Sequence, residues 1–164
     1  MVRLRLATVD DSEAIRAIYN YYVEHSTCTY QLEPDTAEQR RQWLESRSSK
    51  HPVVLAEADG EVIGWGSLSP WNVRAGYNAT VEFSVYVRYD RHRKGLGRLI
   101  VEDLIERAKA LGHHTILGGA SSDQTASIRL QEALGFEKVA HLKQVGKKFG
   151  RWLDVVYMQL MVEE

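Results

Sequence analysis

The sequence predicts one mixed α/β domain spanning residues 1–164, with a mixed central sheet and flanking helices in the order βααβββαβαββ. Three observations carry this. Apolar residues switch repeatedly between period two and a helical period. Turn residues, mostly glycine, stand where one period gives way to the other. No repeat, linker or low-complexity tract divides the chain, whose 164 residues suit a single domain with a real core.

Val2 to Ala7 alternates and reads as the first strand. Asp10 and Glu13 have the spacing of a capping box, and Ile15, Ile18, Tyr19 and Tyr22 then make a helical stripe. Thr36 to Ser48, after Pro34, reads as a second and more polar helix. Val53 to Ala58 and Val62 to Leu68 form two strands joined at Asp59-Gly60, a strong hairpin signal. Thr80 to Val87 is the next strand. A long helix follows from Leu96 to Leu111, with Ile100, Leu104, Ala108 and Leu111 inward and Gly112 at its C-terminal cap. Thr115 to Leu117 reads as a short strand before Gly118-Gly119, and Gln124 to Leu134 as a helix that stops at Gly135. Phe136 to Val145 and Trp152 to Met161 close the chain as a hairpin.

Composition narrows the class. Hydrophobic residues make up 44% and charged residues 26%, the profile of an ordinary soluble protein. Lysine plus arginine (21) nearly balances aspartate plus glutamate (22), so nothing global points to nucleic acid or an anionic membrane. No apolar run reaches transmembrane length, and the start, Met-Val-Arg-Leu-Arg, lacks a signal-peptide core. The one cysteine, Cys28, excludes an internal disulfide framework and fits a reducing cytoplasm.

The junction Asp90-Arg91-His92-Arg93-Lys94-Gly95-Leu96-Gly97-Arg98 carries the most chemistry. Arg91, Arg93, Lys94 and Arg98 crowd the start of a helix, where the macrodipole already repels cations. That placement is locally unfavourable unless an anion arrives. Gly95 and Gly97 leave the backbone bare, so N–H groups at the helix start can face phosphate oxygens. Strand, basic glycine turn and helix read together as a pyrophosphate cradle. A P-loop is excluded, because its four-residue spacing and its Gly-Lys-Ser/Thr are missing. A dinucleotide fingerprint is excluded because Ile100 stands where the third glycine belongs. The competing reading is an ordinary loop with a solvated basic face.

The element order and three motifs resolve that choice by resemblance. Thr80-Val81-Glu82-Phe83-Ser84-Val85-Tyr86-Val87 runs into the basic turn. Ala126-Ser127-Ile128-Arg129-Leu130 leads to Glu132-Ala133-Leu134-Gly135-Phe136, and residues 146–154 read GKKFGRWLD. Over nearly the whole chain this resembles the GNAT N-acetyltransferase superfamily, in the branch of phosphinothricin and methionine sulfoximine/sulfone acetyltransferases. The resemblance implies acetyl-CoA as donor and no metal. It implies that Val85, Tyr86 and Val87 pair through their backbone with the pantetheine arm. Backbone amides from Arg93 through Lys94, Gly95, Leu96 and Gly97 to Arg98 would hold the pyrophosphate, with Gln124, Ser127 and Gln131 also on the cofactor side. Three positions depart from the pattern: His92 opens the turn, Gln124 replaces an asparagine, and Gln131 replaces a histidine or tyrosine. An amide cannot be a general acid, although it can donate a hydrogen bond near the thioester sulfur.

Acetylation of an amine needs a proton acceptor, because free amines are largely protonated near neutral pH. Glu82 interrupts an otherwise apolar strand just before the expected cofactor segment, and the resemblance assigns it this role. An exposed glutamate titrates near pH ~4.3, so Glu82 must be raised by burial or relayed through water. For the acceptor, Arg74 could pair with a carboxylate, backbone at Ala75, Gly76 and Tyr77 could border the pocket, and Tyr30, after the first helix, offers a second wall; Glu82 also counts among the acceptor-binding residues. The resemblance also implies a homodimer, with the hairpin of Lys147, Lys148, Phe149, Arg151 and Trp152 at its rim. Cys28 as an acetyl carrier, and His113-His114 as metal ligands, are both disfavoured for want of placed partners. The expected reaction is transfer from acetyl-CoA to the primary amine of a small amino-acid-like molecule by direct attack in a ternary complex. The alternatives are a polyamine, aminoglycoside or protein N-terminus as acceptor, or a non-catalytic acyl-CoA-binding module.

Overall fold

The computed structural model describes residues 1–92 and 95–162. In chain order its elements are β1 (Arg3–Leu6), α1 (Ser12–His25), α2 (Ala37–Glu45), β2 (Val53–Ala58), β3 (Glu61–Pro70), β4 (Thr80–Val87), α3 (Leu96–Ala110), β5 (Thr115–Ser121), α4 (Thr125–Ala133), β6 (Glu137–Lys148) and β7 (Arg151–Met161). Single 3₁₀ turns at Val9–Asp11, Ala75–Tyr77 and Tyr89–Arg91 join some of them. The order is the one the sequence predicts.

All seven strands belong to one sheet in the order β1-β2-β3-β4-β5-β7-β6, antiparallel except for β4 against β5. Strand alternation divides the core in two. On one face Val81, Phe83 and Met158 pack with Ile100, Leu104 and Ala108 of α3. On the other, Leu55 and Trp65 pack with Ile15, Ile18 and Tyr22 of α1 and Leu44 of α2. Close approach of α3 depends on Gly66, where a Cβ would stand 2.6 Å from Ile100 Cγ2 and 2.9 Å from the Ser84 carbonyl oxygen. Among the described residues, no helix is long and apolar enough to cross a membrane.

Several local expectations change. The capping box uses Thr8 and Asp11 rather than Asp10 and Glu13: the Thr8 N–H donates to the Asp11 carboxylate at 2.8 Å. Arg5 holds that carboxylate in place at 2.9 Å, while Glu13 turns to Arg16. Leu111, expected inward, is only half-buried, and Leu96, Val101 and Ile105 take the buried positions instead. β5 does not end at Leu117. It continues through Gly118-Gly119 to Ser121 because β7 pairs with it along its whole length, and a partner strand outweighs the poor strand propensity of glycine.

The pairing of β4 with β5 fixes the site. It lasts for only three rungs, Thr80 with Thr115, Val81 with Ile116, and Glu82 with Leu117. Beyond Glu82, β4 stays with β3 and β5 stays with β7, so the sheet splits.

Candidate active site

The split opens into a cleft of about 850 Å³. Its walls are the distal halves of β4 and β5, the first turns of α3 and α4, the end of α1, and the loop after it.

Glu82 stands at the last paired rung, where the split begins. Its side chain is half-buried and has no hydrogen-bond or ion partner among the described residues. Burial pushes its carboxyl above the usual carboxylate range. Tyr157 of β7 lines the same end of the cleft. Burial, and then the Glu82 charge, raise its phenol. The Tyr157 ring lies against Gly119, where a Cβ would approach to 3.2 Å. No sequence signal marks Tyr157, since a tyrosine inside an alternating strand looks like any other strand residue.

At the opposite end, Gly95 caps α3 with φ 71°, a left-handed conformation that glycine adopts without strain. The Leu99 N–H reaches the Gly95 carbonyl at 3.1 Å. The amides of Leu96, Gly97 and Arg98 therefore belong to the first turn, which has no acceptor inside the helix. All four of Gly95, Leu96, Gly97 and Arg98 line the cleft. Arg93 and Lys94 lie outside the described residues. The crowding of positive charge is partly relieved without any ligand, because Arg98 pairs with Glu102 at 2.6 Å and Arg91 with Glu61 at 3.8 Å.

Val85, Tyr86 and Val87 line the cleft as well. The Val87 carbonyl already accepts from the Tyr22 hydroxyl and lies 3.2 Å from His92 Nε2, with the His92 ring stacked on Tyr22. His92, the departure at the head of the turn, thus braces this strand end. At α4, the Gln124 amide donates to Thr27 Oγ at 2.8 Å, and the Thr27 hydroxyl donates to Asp123 at 2.8 Å. Gln124 and Ser127 both reach the cleft wall. So does Tyr30, whose hydroxyl donates to the Asp154 carbonyl at 2.6 Å, with its ring pressed on the backbone of Gly146.

Two groups of expected residues lie elsewhere. Gln131 is 1% exposed and is not on the cleft wall. It sits behind the first unpaired rung, its amide oxygen 2.0 Å from where a Gly118 Cβ would stand, and neither amide atom has a partner among the described residues. Arg74, Ala75, Gly76 and Tyr77 form an exposed turn outside the wall, joining β3 to β4 at the Glu82 end. Cys28 does line the cleft, but burial raises its thiol, which suppresses thiolate chemistry.

Residues 4–157 match the model of the acetyltransferase (GNAT) domain family. The chain belongs to the GNAT acetyltransferase family. Its relatives share both length and fold. It is 42% identical to the L-methionine sulfoximine/L-methionine sulfone acetyltransferase of Pseudomonas aeruginosa, over 98% of this chain and 94% of that protein. It is 40% identical to the L-amino acid N-acyltransferase MnaT of Escherichia coli K12, over the same shares. The yncA protein of Salmonella typhimurium, solved with its cofactor acetyl-CoA, superimposes with a TM-score of 0.96 at 40% identity, covering 99% of this chain and 95% of that one. In this GNAT acetyltransferase the split sheet, the glycine turn and Glu82 therefore form one continuous cleft.

Proposed function

We propose that the chain transfers the acetyl group of acetyl-CoA to the primary amine of a small amino-acid-like acceptor, of the methionine sulfoximine, methionine sulfone or phosphinothricin type, by direct attack in a ternary complex. One observation carries the reading: the sheet splits at the rung after Glu82, so the cleft ends at a carboxyl that has no partner among the described residues and that burial has raised. The names of the relatives support the acceptor class.

The residues present fit the cosubstrate. The unpaired strand edges offer backbone groups to the amides of a pantetheine arm, as an added strand would. The first turn of α3 offers free N–H groups to a pyrophosphate. A Cβ at Gly97 would meet only Leu130 at 3.7 Å and Val87 at 3.9 Å. The fold alone does not require glycine there, and a closely approaching phosphate would. When bound, acetyl-CoA supplies an activated acetyl group as a thioester.

Glu82 accepts a proton from the acceptor ammonium, a task for which a raised carboxyl is better matched than an ordinary one. Gln131, an amide, neither gives nor takes that proton. Tyr30 walls the cleft opposite, and the turn of Arg74 to Tyr77 stands at the acceptor's end of β4. We assign the protein to the cytoplasm on its single unpaired cysteine. We also infer a homodimer through the exposed edge of β6.

The test is Glu82→Gln. Turnover falls by more than about tenfold while acetyl-CoA binding, read by calorimetry, is retained. Unchanged turnover would remove Glu82 as the base. Free-thiol release against methionine sulfoximine, methionine sulfone, phosphinothricin, a polyamine, an aminoglycoside and a short peptide tests the acceptor class. A response confined to the last three would overturn it.

A further inference from the structure

A second cavity, of about 360 Å³, shares Ser84 and Tyr86 with the cleft. The register of β3 and β4 builds its floor: Ser69 lies opposite Glu82, Ser67 opposite Ser84, and Trp65 opposite Tyr86. These residues alternate along their strands and so share the Glu82 face of the sheet. Tyr19, Asp35, Arg40 and Trp43 supply the walls.

The electrostatics of this pocket lack a partner. Arg40 is 5% exposed, with its guanidinium 4.5 Å from the ring centres of both Tyr19 and Trp43. Its Nη2 meets Asp35 at 2.5 Å, and its Nε has no acceptor among the described residues. Asp35 is shared, since Gln31 donates to its other oxygen at 2.7 Å. Arg47 stands behind Ser69, donating to Ser69 Oγ at 3.1 Å and lying 4.6 Å over Trp43. Burial, and then Arg40, lower it to about 10. It has no carboxylate partner among the described residues. Two guanidinium groups thus answer to one carboxylate. Among the described residues, the Ser67 and Ser84 hydroxyls also lack hydrogen-bond partners. Arg47 is met by the His51 and Leu68 carbonyls, but Arg40 Nε is buried with no acceptor among the described residues, which is costly unless an acceptor-rich group meets it.

We propose that this side pocket is the specificity subsite for the acceptor, receiving an oxygen-bearing group at the far end of its side chain, such as a sulfone, sulfoximine or phosphinate. The proposal rests on the acceptor class given above. Successive residues on one strand face are about 7 Å apart, so an amine held at Glu82 reaches the Ser84 rung with a side chain of amino-acid length. An acceptor of equal length without oxygens leaves the Arg40 and serine donors unpaired, which is how a polar site rejects an apolar analogue. Asp35 sets the upper limit on charge, so neutral or singly charged groups fit better than a phosphate dianion.

Ser67→Ala tests this with little risk to the fold, and Arg40→Lys serves as a second variant that keeps the charge but loses the planar fork. The readouts are the ratio of kcat/KM for methionine sulfone over methionine, and calorimetric binding of methionine sulfone to enzyme preloaded with CoA, which does not depend on turnover. In Ser67→Ala the ratio falls by about tenfold and sulfone binding weakens in parallel, while CoA affinity stays at the wild-type value. A folded Ser67→Ala and a folded Arg40→Lys that both keep the wild-type ratio would overturn the subsite. So would a wild-type enzyme that acetylates both molecules equally, although the acceptor class would then stand. If the wild type binds acetyl-CoA and acetylates neither, the acceptor class fails and the subsite falls with it.

Discussion

At the residue scale, the burial of Glu82 costs stability at neutral pH. Its folded-state pKa lies above its unfolded value because burial disfavours the charged form. Its contribution to stability is therefore fully present below the unfolded pKa and is lost as pH rises through the folded one. Glu82→Gln cannot ionise, so it should unfold at a higher temperature than wild type at pH 7. That advantage should vanish below the ordinary carboxylate range. Melting curves at the two pH values check this, and an advantage that persists in acid would assign it to packing instead. With Glu82 as the proposed base, the acidic limb of a kcat/KM profile against pH should lie above that of an exposed glutamate. The two glycines of the basic turn should also part company. Gly95 is left-handed, and Gly95→Ala should cost about 1–2 kcal/mol. Gly97 has room for a methyl group, so Gly97→Ala should melt no lower than wild type, yet bind acetyl-CoA more weakly. Thermal unfolding and calorimetry on the pair separate the two effects. Unaltered acetyl-CoA affinity in Gly97→Ala would take the phosphates away from that turn.

At the scale of elements, α3 is seated on β3 by the absence of side chains. Ile100 and Leu104 descend onto Gly66, and part of what a Cβ would strike is backbone that has little freedom to move. Gly66→Ala should therefore destabilise by about 1–3 kcal/mol, read as a lower denaturant midpoint with an unchanged slope. That contact also anchors the helix whose first turn faces the cleft. Much of this was legible along the chain. The strand from Thr80 to Val87 and the start of α3 at Leu96 follow from period and turn chemistry. The length of β5 does not, since Gly118-Gly119 reads as a turn until β7 is known to lie beside it.

Across the whole molecule, the β6–β7 hairpin links the cleft to the edge of the sheet. Lys148 is 3% exposed and donates to the carbonyls of Ser26 and Thr29 at 2.7 and 2.8 Å. This ties the hairpin to the loop that walls the cleft. The far side of β6 has no strand partner among the described residues and carries exposed Val139, Leu142 and Val145, with Phe149 and Trp152 at the hairpin end. A long edge strand that exposes apolar side chains among its charged ones offers a surface for pairing with another chain. Light scattering should show a dimer, and Val145→Glu should shift it toward monomer without changing the circular dichroism. A monomer in the wild type would sink the homodimer.

The sequence by itself determined the order of elements, the placement of Glu82 on an apolar strand and the glycine turn ahead of α3, because these rest on short-range periodicity and local backbone preference. Only the tertiary structure decided that β4 and β5 part after Glu82, that Gln131 is sealed behind Gly118, that Arg74 to Tyr77 stand off the cleft wall, and that Arg40 and Ser67 share a pocket with Ser84. Each of these depends on which strand wins a backbone partner, or on which side chains from distant segments meet across a face. Contacts of that range leave no period in the chain to read.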